Sequence, residues 1–394
     1  MTKEPASQPK RVLIVWNQVE EDIYEQWRVQ GPQPLPWDPS RLADDVRTTN
    51  EEMDDLADSV RMAGYDVLFL NVRDDLERLQ AALRYYQPHV VFNLIEYFNN
   101  DENLESGIVG LYELLGQAYT GSTGYALALC QRKHHAKRIL EGAGLPTAPY
   151  FIVDSLDTPL PDPATLDERY PLIVKPALED ASGGIENEAV VADFDQLIDR
   201  IDYVLREFEQ PVLIEDYIEG REIHVAILGN DPPEVLPPFE MRFDHSEFGD
   251  DEKWRPRIIS YSAKWDPMSR DFYTLEPLCP APDLTPALEE RLGAIALRAY
   301  RETGCRDYAR IDMRVTADGT PYILEVNPNP DLTDGSAFIM CAQASGRTYI
   351  ETLGELLELA MKRVTPTSHD EAESGLRAPT DHLNRKYWQP PVES

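Results

Sequence analysis

YARIDMRVTADGTPYILEVNPNPDLTDGS, residues Tyr308 to Ser336, alternates with period two on either side of an Asp-Gly pair. Ile311, Met313 and Val315 interleave with Arg310, Asp312 and Arg314. Tyr322, Leu324 and Val326 interleave with Ile323, Glu325 and Asn327. That pattern predicts a β-hairpin. With Asp318-Gly319 as a two-residue turn, Asp312 lies opposite Glu325 and Arg310 opposite Asn327. These four share one face and the apolar residues take the other. Carboxylates facing each other across a strand pair repel. A hard cation between them removes the conflict. Mg²⁺ takes one or two protein carboxylates and completes its shell with water and phosphate oxygens. Arg310 beside them would face a phosphoryl group. The plain alternative is a solvated acidic face.

Upstream, Leu288 to Thr303 is an amphipathic helix feeding the hairpin, and IISYSAKWD (258–266) carries Lys264. In PVLIEDYIEGREIHVAILGN (211–230), Val212 to Ile214 and Arg221 to Leu228 read as strands joined through a connector, Glu215 to Ile218. Leu172 to Val174 is a buried strand ending at Lys175-Pro176. The loop Ser182-Gly183-Gly184 follows and can bring backbone N–H groups close to an anion. It is not a Walker A loop, since GxxxxGK[ST] is absent. Ala126 to Glu141 reads as one helix, stopped by Gly142-Ala143-Gly144-Leu145-Pro146. Lys133 and Lys137 share a face of it, one turn apart. Two solvated lysines are the plain reading there.

The N-terminal part alternates strand and helix. RVLIVWN (11–17), Tyr65 to Leu70 and His89 to Leu94 read as strands. Thr48 to Ala63, Leu76 to Tyr86 and Leu104 to Leu115 read as helices. That order predicts a parallel sheet with helices on both faces, a Rossmann-like domain over 1–128. No GxGxxG follows the first strand, which argues against dinucleotide binding. Residues 18–45, with Pro32, Pro34, Pro36 and Pro39, read as an irregular loop. Tyr349 to Arg363 is the last helix, and 364–394 reads as a flexible tail.

The chain has 394 residues and a net charge of −34. That charge argues against nucleic acid and anionic membranes as partners. No apolar run approaches membrane-spanning length, and the N-terminus lacks a secretory core. Cys130, Cys279, Cys305 and Cys341 show no metal or redox spacing, so reduced thiols and a cytoplasmic location are expected. Lysine is scarce beside arginine, so each lysine that is present is a better candidate for a specific task.

Taken together these motifs resemble the ATP-grasp superfamily, and within it the D-alanine–D-alanine ligase group, over about residues 118 to 362. The matching pieces, in order, are AYTGST, the K-x-x-x-K ahead of EGAGLPTAPY, YPLIVKP with its small-residue loop, VLIEDYIEGREIHVAIL, YSAKW, and GCRDYARIDMRV with YILEVNPNP. The resemblance implies an α/β chain. Its Rossmann-like pre-ATP-grasp domain (1–128) would precede an ATP-grasp fold of two α+β subdomains, 129–213 and 214–363, with ATP between them. It implies that Lys133, Lys175 and the Ser182-Gly183 loop contact ATP phosphates. Glu215 and the backbone of Tyr217 and Ile218 would hold adenine, and Glu222 the ribose. Lys264 would approach the γ-phosphate and Arg310 the transferring phosphoryl group. Asp312, Glu325 and Asn327 would bind two Mg²⁺ ions, with Mn²⁺ as a substitute. Ser336 would contact the acceptor's carboxylate. The implied activity joins a carboxylate to an amine through an acyl phosphate, in a protein that forms homodimers.

Four stretches depart from the group's pattern. WNQVEEDIYEQW replaces a glycine-rich, Glu- and Ser-containing loop, Leu94-Ile95-Glu96 replaces a His-Gly, Arg132-Lys133 an Asp-Lys, and Pro330-Asp331 a Pro-Gly. The nucleotide half is kept and the first-substrate half rewritten. A ligase acting on another amino acid or small peptide is therefore expected. A D-alanine–D-alanine ligase proper and a non-catalytic ATP-binding regulator are the alternatives.

Overall fold

The computed structural model describes residues 8–20, 23–248 and 255–363; the tail read at 364–394 lies outside the described residues. Three sheets organise the chain. The first is parallel, in the order Asp66–Asn71, Arg11–Trp16, Val90–Leu94. Helix Thr49–Met62 covers one face, entered through a capping box in which Thr48 accepts from Glu51 N–H and Glu51 accepts from Thr48 N–H. Helices Leu76–Tyr86 and Glu105–Leu115 cover the other face.

The second sheet is antiparallel, in the order Tyr150–Val153, Val212–Asp216, Leu172–Pro176, Val190–Val191, with helix Phe194–Glu207 packed on it. The third runs Leu275–Leu278, Phe239–Phe243, Arg221–Leu228, Tyr308–Val315, Pro321–Asn327, with helix Pro286–Glu302 behind it. One apolar core is shared by the first and third sheets. Val12, Ile14, Phe92 and Leu56 pack in it with Phe239, Tyr308, Phe338 and Leu356 of the last helix, Tyr349–Arg363. Buried Asp307 reinforces that joint, accepting from Gly121 N–H (3.0 Å), from Asn230 (2.9 Å) and from Arg363. Gly121 has φ +91°, and a Cβ there would meet Asn329 Oδ1 at 2.4 Å, so only glycine fits.

Several local expectations need correction. The helix expected over Ala126 to Glu141 is two helices, Gly124–Gln131 and Lys133–Gly142, broken at Arg132 (φ −84°, ψ 80°). The break lets Lys133 N–H reach the Ala177 carbonyl at 3.2 Å instead of continuing the helical ladder. Residues 18–45 contain a helix, Ile23–Gln30, and a short hairpin, Pro34–Leu35 with Asp38–Leu42. Proline is tolerated in such edge strands because it owes no ladder donor there. Glu215 belongs to the strand Val212–Asp216, so the connector begins at Tyr217.

The hairpin keeps the expected pairs, Asp312 with Glu325 and Arg310 with Asn327. It gets there by another route. Thr316 and Thr320 close a loop over 317–319, with Gly319 at φ +82°, in place of a two-residue turn. A bulge between Asp312/Met313 and Ile323/Glu325 then restores the register. The bulge turns Leu324 toward the cleft and Ile323 into the core, reversing the expected sides of both. No helix among the described residues is long and apolar enough to cross a membrane. The four cysteines are free, three of them buried.

Candidate active site

The second and third sheets face each other across a cavity of about 550 Å³. Every site residue singled out from the sequence borders it: Lys133, Lys175, Ser182, Gly183, Glu215, Tyr217, Ile218, Glu222, Lys264, Arg310, Asp312, Glu325, Asn327 and Ser336.

The hairpin supplies one wall. Arg310 Nε and Nη2 donate to the two Asp312 oxygens, each at 2.8 Å. Asn327 Nδ2 donates to Asp312 Oδ2 at 2.9 Å and to Glu325 Oε1 at 3.4 Å. Burial pushes the Asp312 carboxyl up, but Arg310 and His224 outweigh it and the net shift is downward. The described residues hold no cluster of three His, Cys, Asp or Glu side chains suited to a metal. Two carboxylates and an amide oxygen are nevertheless the hard donors Mg²⁺ takes when phosphates and water fill the remaining positions. The donor set therefore fits, provided the Asn327 amide presents its oxygen.

Next along the same face come Glu222 and two residues not given a site role from the sequence, His224 and Arg314. His224 pairs with Asp312 and Glu222 with Arg314 across neighbouring strands. Arg314 Nη2 lies 2.7 Å from Glu222 Oε2. Burial pushes the Glu222 carboxyl up; Arg314 outweighs it, so the group sits below its usual value. Period-two alternation along Arg221–Leu228 places Glu222 and His224 side by side and could have found His224.

The opposite wall is basic. Lys137 Nζ and Lys175 Nζ lie 2.5 Å from the two oxygens of Glu215, and both Lys137 and Glu215 are 2 % exposed. Burial opposes ionisation of Glu215, but the two ammonium groups overcome it and bring its pKa down to about 2. Lys133 Nζ donates to the Glu179 carbonyl at 2.7 Å and lies 3.5 Å from Glu325 Oε2, joining the basic wall to the hairpin. The plain reading of two solvated helix lysines is thereby overturned for both Lys133 and Lys137.

The loop after Lys175 crosses between the walls. Ala181 and Ser182 hold φ of 50° and 67°. Ser182 Oγ donates to the Ile259 carbonyl (2.8 Å), Trp265 Nε1 to the Ala181 carbonyl (3.0 Å), and Tyr261 N–H to the Ile185 carbonyl (2.7 Å). Lys264 stands in the short helix Tyr261–Trp265, 4.7 Å from the Trp265 ring. Tyr217 N–H is engaged by the Pro171 carbonyl at 3.1 Å. Ser336 stands at the N-cap position of helix Ala337–Ala344, and its hydroxyl donates to the Asp331 carbonyl at 2.8 Å rather than capping the helix.

A family model described as the D-alanine–D-alanine ligase C-terminus matches residues 139–358. A D-alanine–D-alanine ligase of Desulforudis audaxviator is 33% identical over 300 residues, 76% of this chain and 89% of that one. The chain belongs to the D-alanine–D-alanine ligase family. An uncharacterized protein of Sinorhizobium fredii is 30% identical over 363 residues, 90% of this chain and 97% of its own length. The D-alanine–D-alanine ligase of Bacillus anthracis, solved in complex with ATP, superposes with a TM-score of 0.64 at 23% identity, covering 90% of this chain and 98% of that one. This likeness shows that the chain has the overall fold of the D-alanine–D-alanine ligases, an ATP-grasp fold.

Proposed function

We propose that the protein is an ATP-dependent carboxylate–amine ligase. The observation that carries this reading is the meeting, in one cavity, of the Arg310–Asp312–Glu325–Asn327 face with Lys133, Lys175 and the 181–184 loop. ATP lies between the two walls, with its adenine toward Tyr217 and Ile218 and its phosphates toward the lysines. Asp312, Glu325 and Asn327 would hold Mg²⁺, which would supply positive charge against the phosphates. Phosphoryl transfer needs positioning and charge neutralisation more than a protein nucleophile. Lys133, Lys175, Lys264 and Arg310 meet those needs from this chain.

A carboxylate oxygen of the first substrate attacks the γ-phosphorus, giving an acyl phosphate and ADP. The nitrogen of the second substrate then bonds to the acyl carbon, and the C–O bond to phosphate breaks with its electron pair leaving on phosphate. Ser336, at a helix N-terminus, would hold the acceptor's carboxylate.

ADP release by the purified chain with ATP and Mg²⁺, across a panel of amino acids, dipeptides and amines, tests the reading. Release that depends on one carboxylate–amine pair and disappears in Asp312→Ala supports it. Tight ATP binding without release from any pair would replace it with a nucleotide-sensing role.

A further inference from the structure

The Lys264 ammonium makes no hydrogen bond or ion pair among the described residues, and the helix that carries it, Tyr261–Trp265, has only five residues. Residues 255–274 contribute no side chain to the apolar cores. A segment without a core is positioned by what it is tied to. One set of ties runs to the second sheet: the bonds of the 181–185 loop, and Ser262, whose N–H and Oγ donate to Glu186 Oε1 at 3.2 and 2.7 Å. Another set runs to the first domain, through the helix and hairpin found over 23–44. Buried Tyr24 donates its hydroxyl to the Trp265 carbonyl at 2.7 Å. Trp37 Nε1 donates to the Met268 carbonyl at 3.2 Å. The Trp37 ring meets Tyr273 edge-on at 5.5 Å, and the Arg41 guanidinium lies 5.1 Å from both rings. Tyr273 Oη accepts from Asp44 N–H at 3.1 Å. Tyr24 and Trp27 also border, with Trp265 and Asp266, a second chamber of about 1120 Å³ that continues the cleft beyond Glu96, Glu105 and Asp331. Enclosure there, then Asp331 and Asp180, push the Glu96 carboxyl up to about 7.

We propose that residues 23–44 are a strap from the first domain that sets where Lys264 stands, and that Tyr24 and Trp37 are positioning residues for phosphoryl transfer. This rests on the ligase reading above, in which Lys264 serves the phosphates, and deepens it. The carbonyl that Tyr24 holds belongs to Trp265, the next residue after Lys264. Trp37 holds the chain three residues further on, at Met268. Two ties so close together stop the short helix from sliding and from turning. Neither Tyr24 nor Trp37 borders the nucleotide cavity. Their loss therefore spares ATP binding and is felt in the transfer step, where a displacement of about 1 Å can cost about a hundredfold in rate.

The test is a double-substitution cycle in the full chain, read as kcat for ADP release with the active carboxylate–amine pair, beside calorimetry with ATP. Trp37→Ala should lower kcat about tenfold or more, and Tyr24→Phe, which removes one hydroxyl, about fivefold. The Kd for ATP should stay within about twofold. Trp37→Phe keeps a ring against Tyr273 and should recover most of the loss. In a Lys264→Ala background neither change should lower kcat further. Tyr85→Ala removes an exposed ring of the first domain and should change nothing. Limited digestion with trypsin reads the tie without turnover. Cleavage after Lys264 and Arg270 should quicken about tenfold in Trp37→Ala, while cleavage after Arg84, in helix Leu76–Tyr86, keeps its rate. A kcat loss that persists in full without Lys264, or cleavage after Lys264 untouched by Trp37→Ala, overturns the strap. No ADP release from the parent with any pair overturns the ligase reading and the catalytic role of the strap, while quickened cleavage still upholds the tie itself.

Discussion

Arg310 lies flat against Asp312, its Nε and Nη2 each 2.8 Å from one carboxylate oxygen. The two are neighbours on one face of strand Tyr308–Val315. A planar fork held bidentately by a carboxylate loses little further entropy when it meets a phosphoryl group. Lysine offers the same charge without the fork.

Arg310→Lys should therefore lower kcat for ADP release by about a hundredfold, the scale of losing one donor to developing charge. ATP affinity should stay within a few-fold. Steady-state turnover and calorimetry with ATP separate the two; an unchanged kcat removes Arg310 from the transfer step.

Glu215 neutralises two lysines at once. Glu215→Gln leaves both buried ammonium groups without a counter-charge, a change that costs about 3–5 kcal/mol. Its pKa in the folded chain is about 2 against an ordinary 4.5. The corresponding stability, about 3 kcal/mol, is complete above pH 4.5 and is lost as pH falls toward 2. Denaturant unfolding between pH 2 and pH 7 should show a slope that Glu215→Gln removes.

Glu96 behaves in the opposite sense. Its folded pKa, about 7, lies above the ordinary value of 4.5. The stability it contributes is full below pH 4.5 and is lost as pH rises through 7. Glu96→Gln should unfold at a higher temperature than the parent at pH 8 and at the same temperature at pH 4. Thermal scans at the two pH values check this, and a matching gain at pH 4 counts against it.

Removing divalent cations with EDTA should weaken ATP binding as well as stop ADP release, with Mg²⁺ or Mn²⁺ restoring both. In Glu325→Gln the Mg²⁺ concentration for half-maximal ATP binding should rise about tenfold or more. Calorimetry at graded Mg²⁺ reads this without reference to turnover. An unshifted Mg²⁺ curve would remove Glu325 from the metal set.

How far the sequence spoke depends on the kind of signal. Strand alternation around Asp312 and Glu325 is a local pattern, and it put the right residues opposite each other. The turn and the bulge escaped it because a loop one residue longer and a bulge of one residue cancel in the register. The lysines were a different case. Helical spacing shows that Lys133 and Lys137 share a face but not what the face meets, and burial against Glu215 comes from a strand almost eighty positions away. The break at Arg132 carries no proline or glycine, so nothing local announces it. Glu96 could be noted as a departure, but the like charges that act on it, Asp331 and Asp180, arrive from distant segments.

The bonds that carry the 181–185 loop across the cleft have a further consequence. Ser182 to Ile259, Trp265 to Ala181 and Tyr261 to Ile185 all end on backbone carbonyls and involve no formal charge. Added salt screens ion pairs at a solvent surface but leaves neutral hydrogen bonds nearly untouched. A chain with a net charge of −34 swells or tightens with ionic strength. These three bonds do not share that sensitivity, so the tie between residues 181–185 and residues 259–265 keeps its strength in brine and in dilute buffer.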